Sequence, residues 1–165
     1  MGETKRKGVK WAIAGGILSI FLLALAFNSH ILAAFGAMNG VKTIGPKELE
    51  TLLESESVLI VDVREKEEFE VSHLAEAQWV NDLNWQEVDK NTRVVLYCTI
   101  GFRSTEWGTT LAKQGFNDLY NLDGGIVRWK NEQGTVFNQK QQPTDSVHVY
   151  SELFGFLLKE GQAVE

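Results

Sequence analysis

The residues best suited to chemistry gather around one cysteine. Cys98 closes the run Arg93-Val94-Val95-Leu96-Tyr97-Cys98, and Thr99-Ile100-Gly101-Phe102-Arg103 follow before a helical pattern starts at Ser104. A thiol at the end of a buried strand and just ahead of a helix lies where open α/β sheets bind ligands. Loop N–H groups entering a helix N-terminus converge on one point, and such a nest favours thiolate over thiol. Gly101 lets the loop curl with positive φ. Arg103 supplies a fixed positive charge suited to an anionic substrate. Cys98, Thr99, Ile100, Gly101, Phe102 and Arg103 thus read as the cradle of a nucleophilic cysteine. The alternative for a lone cysteine is a small buried hydrophobe; the strand, glycine and arginine around it favour the nucleophile. As the sole cysteine of the chain, Cys98 excludes a disulfide framework and a zinc site of several thiolates.

The elements that must position this loop are legible as alternating strands and helices. Residues 58–63, 93–98 and 118–122 are short apolar runs of the kind buried on both faces of a parallel sheet. Residues 41–44 and 77–80 are weaker strand candidates. Pro46 suits a first helical position ahead of residues 47–53. Ser104 to Gln114 reads as a helix stopped by Gly115, and Ile126 to Gln133 as another after Gly124-Gly125. Alternation of this type predicts an α/β sheet with helices on its faces. Polar residues 138–146 read as a linker, and residues 150–159 as a short helix folding back on the domain.

Charge and hydropathy divide the chain. In 165 residues, 16 basic and 22 acidic side chains give a formal charge of −6 and a pI of about 5.1, which argues against a nucleic-acid partner. Lys5, Arg6, Lys7 and Lys10 crowd the first ten positions, whereas eleven basic against twenty-one acidic residues from Thr43 onward leave −10. Between them, Trp11 to Phe27 is seventeen uncharged residues, roughly 26 Å as a helix. A buried core helix, a cleaved signal peptide with Ala24-Leu25-Ala26 as its cleavage site, and a retained anchor are the readings of this run, and the anchor is favoured. The division expected is a basic cytoplasmic head at 1–10, a transmembrane anchor or signal segment at 11–38, a domain at 41–134 and an extension at 135–165. Lysine and arginine at the head place the domain outside the cytoplasm, on the periplasmic side in a bacterium.

Four segments in register carry a family resemblance. Tyr97-Cys98-Thr99-Ile100-Gly101-Phe102-Arg103-Ser104 resembles the C-x-x-G-x-R-S active-site loop of the rhodanese family. Val61-Asp62-Val63-Arg64 with Glu67-Glu68-Phe69 resembles its D-V-R element, and Ser72 to Ala77 its G-H-I-P-G-A turn. Gly115-Phe116 through Gly124-Gly125-Ile126 and Trp129 resembles its closing segment. The resemblance implies a rhodanese-like α/β domain with a five-stranded parallel sheet and helices on both faces. It implies a sulfurtransferase in which Cys98, the catalytic nucleophile, takes sulfane sulfur from thiosulfate or another persulfide donor and passes it to a thiophilic acceptor such as a protein thiol. No metal or organic cofactor is called for. Six residues from Cys98 to Arg103 resemble the sulfurtransferase loop and not the longer loop of the related phosphatases.

The same resemblance makes Asp62 and Arg64 an ion pair supporting the loop and His73 a structural residue. Gly124 and Gly125 become turn glycines, and Trp129 a packing residue. His148 and Tyr150 would approach the pocket if the tail folds over it. Ser72, Ala75 and Glu76 depart from the family turn. Ile100 and Phe102 make the loop mouth apolar, which favours a donor bulkier than thiosulfate. A non-catalytic binding or redox-sensing module is the alternative function, with a phosphatase or arsenate reductase a distant third.

Overall fold

The structure, a computed structural model, describes residues 30–165. Helical residues 30–38 (α1) turn at 39–40 into strand β1 (Val41–Ile44). Pro46 opens helix α2 (Pro46–Ser55), at a position where its missing N–H costs nothing. Strand β2 (Leu59–Asp62) leads to helix α3 (Lys66–Val71), whose start is closed by a capping box in which the Glu65 and Glu68 side chains each bond the other's backbone N–H. Strands β3 (His73–Leu74) and β4 (Gln78–Trp79) follow, then β5 (Val94–Tyr97), helix α4 (Phe102–Lys113), strand β6 (Leu119–Leu122) and helix α5 (Gly125–Asn131).

The main sheet has the order β1-β6-β5-β2-β4, and every pairing in it is parallel. β5 is buried at every residue, as expected of a central strand covered on both faces. Alternate residues feed two apolar layers. Ile60, Val95, Tyr97 and Leu122 face Leu49 of α2 and Ile126 and Trp129 of α5. Val61, Val94, Leu96 and Cys98 face Leu111 of α4 and Phe116. Register sets Asp62 beside Tyr97 and Leu96 beside Asn121, so Asp62, Cys98 and Asn121 all lie at the carboxyl ends of neighbouring strands.

The tail is built into the domain. β7 (Val136–Phe137) pairs antiparallel with β3 and with β8 (Pro143–Thr144), so the polar stretch 138–146 is a hairpin and not a free connection. β9 (Ser146–His148), helix α6 (Glu152–Gly155) and β10 (Gln162–Val164) complete the chain, with β9 and β10 paired in parallel. Val136, Val147 and Val149 of this region belong to the α2–α5 core layer. The outcome departs from a linker because strand pairing uses backbone groups, which polar residues supply as well as apolar ones.

The expected membrane segment falls mostly, through residue 29, outside the described residues. Its remainder, 30–38, lies against the domain: a Cβ on Gly36 would stand 3.1 Å from the Val41 carbonyl and 3.6 Å from the Thr105 methyl group. Among the described residues no helix is long and apolar enough to cross a membrane.

Candidate functional site

The Cys98 loop is held from three directions. Gly101 adopts φ +100 and is the N-cap of α4. Its carbonyl accepts hydrogen bonds from Thr105 Oγ1 at 2.8 Å and Asn121 Nδ2 at 3.1 Å. Ser104 Oγ in turn donates to Asn121 Oδ1 at 2.6 Å, which fixes the amide. With Gly101 so pinned, its N–H donates to Cys98 Sγ at 3.1 Å. Among the described residues the N–H groups of Ile100, Phe102 and Arg103 meet no protein acceptor. They leave the mouth of the cradle rich in free donors at the positive end of a twelve-residue helix. Cys98 itself is 1% exposed, so a reacting group must enter the cradle to reach the sulfur.

α5 clasps the loop from behind. The Ile126 and Val127 N–H groups donate to the Cys98 and Thr99 carbonyls at 2.9 and 3.2 Å. This contact demands glycine at its first residue. A Cβ on Gly125, at φ +57, would lie 2.3 Å from the Cys98 carbonyl oxygen. The Gly124-Gly125 pair is therefore a close-approach device as well as a turn.

Two arginine–carboxylate pairs flank the cysteine. Arg64 Nε donates to Asp62 Oδ1 at 2.9 Å, and Arg64 Nη2 to Asp62 Oδ2 at 2.6 Å, with both side chains fully buried. Nη2 also reaches the Ser72 carbonyl, while Nη1 has no partner. Burial opposes the Arg64 charge, but Asp62 outweighs it and holds the guanidinium above its ordinary value. Burial, and next the Asp62 charge, push the Tyr97 phenol well up; its oxygen accepts the Leu74 N–H at 3.1 Å. Sequence placed Asp62 and Arg64 together, and the structure joins them.

Arg103, expected as a fixed positive charge, is tied into the rim of the loop. Its Nη1 and Nη2 donate to Glu68 Oε2 and Oε1 at 2.7 and 2.9 Å, and Nη2 also donates to Thr99 Oγ1 at 2.9 Å. Thr99 Oγ1 donates to Glu68 Oε1 at 3.1 Å, closing the triad. Burial works against the Arg103 charge, but Glu68, and then the nearby Cys98 sulfur, raise its pKa above the ordinary value. Glu68 is depressed: burial would raise it, and the Arg103 hydrogen bond and the Glu65 N–H outweigh burial. Glu68 and Asn121 are the site residues that sequence reasoning missed. Glu68 was visible within the Glu67-Glu68-Phe69 motif, but no local pattern reveals a partner thirty-five residues away.

Ile100 is half-buried and Phe102 is 49% exposed at the mouth. His73 is structural: its Nδ1 bonds the Phe69 carbonyl at 2.9 Å and its ring stacks on Phe69. Trp129 packs in the core with its indole N–H on the Thr135 carbonyl. His148 bonds the Tyr150 N–H, and Tyr150 does approach the site, its ring centroid 5.1 Å from Arg103 Cζ. Among the described residues no group of three or more His, Cys, Asp or Glu side chains could hold a metal ion.

A family model described as the rhodanese-like domain matches residues 45–132, just over half of the chain. The chain belongs to the rhodanese-like domain family. A rhodanese-related protein from Thermoplasma volcanium shares the fold, with a TM-score of 0.50 and 22% identity over 57% of this chain and 95% of that one. The tRNA uridine(34) hydroxylase of Aster yellows witches'-broom phytoplasma is 36% identical over 96 residues, 52% of this chain and 31% of that protein. The enzyme of the same name from Streptococcus thermophilus is 31% identical over 122 residues, 62% of this chain and 37% of that protein. The chain spans about a third of the length of these curated relatives.

These relatives overturn three expectations. They are named for hydroxylating a tRNA uridine and not for moving sulfane sulfur, so transfer from thiosulfate or a persulfide donor to a thiol acceptor does not stand. The physical reason is that a cradled thiolate specifies a nucleophile and leaves the electrophile open. Exclusion of nucleic acid fails as well, because net charge sums a whole surface while recognition is local. Placement of the domain outside the cytoplasm fails with them, because the relatives are named for acting on a tRNA uridine; the apolar run that suggested an anchor lies outside the described residues.

Proposed function

We propose that this rhodanese-like chain is an enzyme of tRNA uridine modification, acting on a uridine through the Cys98 thiolate. The observation that carries it is the Gly101 N–H on Cys98 Sγ, with Arg103 electrostatically coupled to the same sulfur. A donor N–H and a neighbouring guanidinium are the electropositive surroundings in which nucleophilic cysteines sit. A uracil ring offers such a thiolate an electrophilic carbon at C6. Addition there places the C5=C6 electron pair on C5, which attacks a peroxide-level co-reactant, breaking its O–O bond so that one oxygen joins C5 and the other leaves as hydroxide. Loss of the C5 proton and expulsion of Cys98 then restore the double bond. In this scheme Cys98 is the nucleophile, and Gly101 with the open N–H groups of residues 100, 102 and 103 steadies the charge. Thr99, Arg103 and Glu68 hold the rim, while Asp62 and Arg64 support the loop. The relatives named for tRNA uridine(34) hydroxylation support the substrate class.

The test is nucleoside mass analysis of tRNA from cells expressing the full chain or its Cys98→Ser variant. Uridine that has gained one oxygen atom with the parent chain and not with the variant is the expected result. Equal tRNA from both would sink the reading.

A further inference from the structure

Tyr150 lies outside the 45–132 family match, yet its ring sits over the guanidinium of Arg103 at the rim of the cysteine cradle. It holds a left-handed backbone, φ +67, which is unfavourable for any residue but glycine and rare for a bulky aromatic. Two contacts impose it. Val149, just before, is buried with its N–H on the Val164 carbonyl at 3.0 Å, and the Tyr150 N–H donates to His148 Nδ1 at 3.2 Å. Despite this strain the side chain is not used for packing: Tyr150 is 61% exposed. Arg103 has committed two of its nitrogens to Glu68 and Thr99. Phe102, its neighbour in sequence, is also half-exposed. The left-handed backbone thus displays an aromatic ring to solvent, backed by a cation and set beside the reactive loop.

We propose that Tyr150, braced by Arg103, is a stacking platform for an unpaired nucleobase at the mouth of the Cys98 cradle. The proposal rests on the tRNA reading above and narrows it to a base in a single-stranded loop. Base-paired residues hide both ring faces, whereas an unpaired base offers one to an aromatic side chain. Arg103, the cation against this ring, is already bonded to Glu68 and Thr99, which leaves stacking to carry recognition at this rim. Affinity should therefore change by about threefold or less between 50 and 200 mM salt, the behaviour of about one phosphate contact or none.

The experiment measures binding of a labelled, uridine-containing single-stranded oligoribonucleotide to the full chain carrying Cys98→Ser, by fluorescence anisotropy. Tyr150→Phe in that background should bind within about twofold, and Tyr150→Gly about tenfold or more weakly, in line with the loss of one stacked base. Glycine adopts the +67 backbone without strain, so Tyr150→Gly should melt no lower than its parent, which separates lost binding from lost folding. Should glycine loosen the tail, Tyr150→Leu keeps an apolar side chain without the π face and should show the same loss. Equal binding by parent and both π-less variants would overturn the platform while leaving the tRNA reading intact. Absence of binding by the parent overturns the platform. Binding that depends on Tyr150, in a chain whose tRNA gains no oxygen, keeps the platform and removes the hydroxylation.

Discussion

Asp62–Arg64 and Glu68–Arg103 are the same chemical pair placed in two environments. Both join a guanidinium to a carboxylate through at least two short hydrogen bonds, and both stand beside the cysteine loop. The first is sealed, with both side chains at 0% exposure. The second has its carboxylate at 2% and its arginine at 27%. In the sealed pair no water can replace a lost partner, so its role is to fix the strand end on which the loop is hung. In the rim pair the arginine keeps solvent on one side and an aromatic ring on another, and the nearby Cys98 sulfur helps to raise its pKa. Burial divides one interaction type into a brace and an adjustable clamp.

The contrast can be broken most strongly at the brace. Asp62→Asn leaves the Arg64 charge buried without its counter-ion and should cost about 3–5 kcal/mol in urea unfolding. A loss below about 1 kcal/mol would mean the pair is not sealed. At the rim, Glu68→Gln should cost less, about 1–2 kcal/mol at pH 7, because water can reach Arg103. Its signature lies in pH. The folded-state pKa of Glu68 lies below its ordinary 4.5, so its contribution is complete above that value and is lost as pH falls through the depressed folded value. The gap between parent and Glu68→Gln should therefore be full at pH 6–7 and close towards pH 3. A gap of constant size across that range would contradict the clamp. Thr99→Val, which removes the hydroxyl shared by Glu68 and Arg103, should be the mildest, at about 0.5–1.5 kcal/mol. No measurable change in unfolding would assign Thr99 no part in the clamp.

What the sequence displayed, and what it hid, follow from range. β2, β5 and β6 were legible because central parallel strands are mostly apolar. Asp62–Arg64 and the Cys98 loop were legible because their parts lie within a few residues of each other. Glu68 and Asn121 reach the loop from thirty-five and twenty residues away, and no periodicity records such a meeting. Helix α4 begins two residues earlier than the pattern at Ser104 suggested, because Gly101 supplies the N-cap. The hairpin of β7 and β8 was hidden for another reason. Two-residue strands carry no alternation to read, and their polar side chains match those of a linker.

The α5 clasp has a consequence for motion. The amides of Ile126 and Val127 are bonded to the carbonyls of the reactive loop itself, and Gly125 leaves no side chain between them. Fraying the first turn of α5 and loosening the backbone at Cys98 are therefore one opening event. These two amides are native reporters of the cysteine's confinement, and their hydrogen exchange gives the free energy of that opening without a probe on the sulfur.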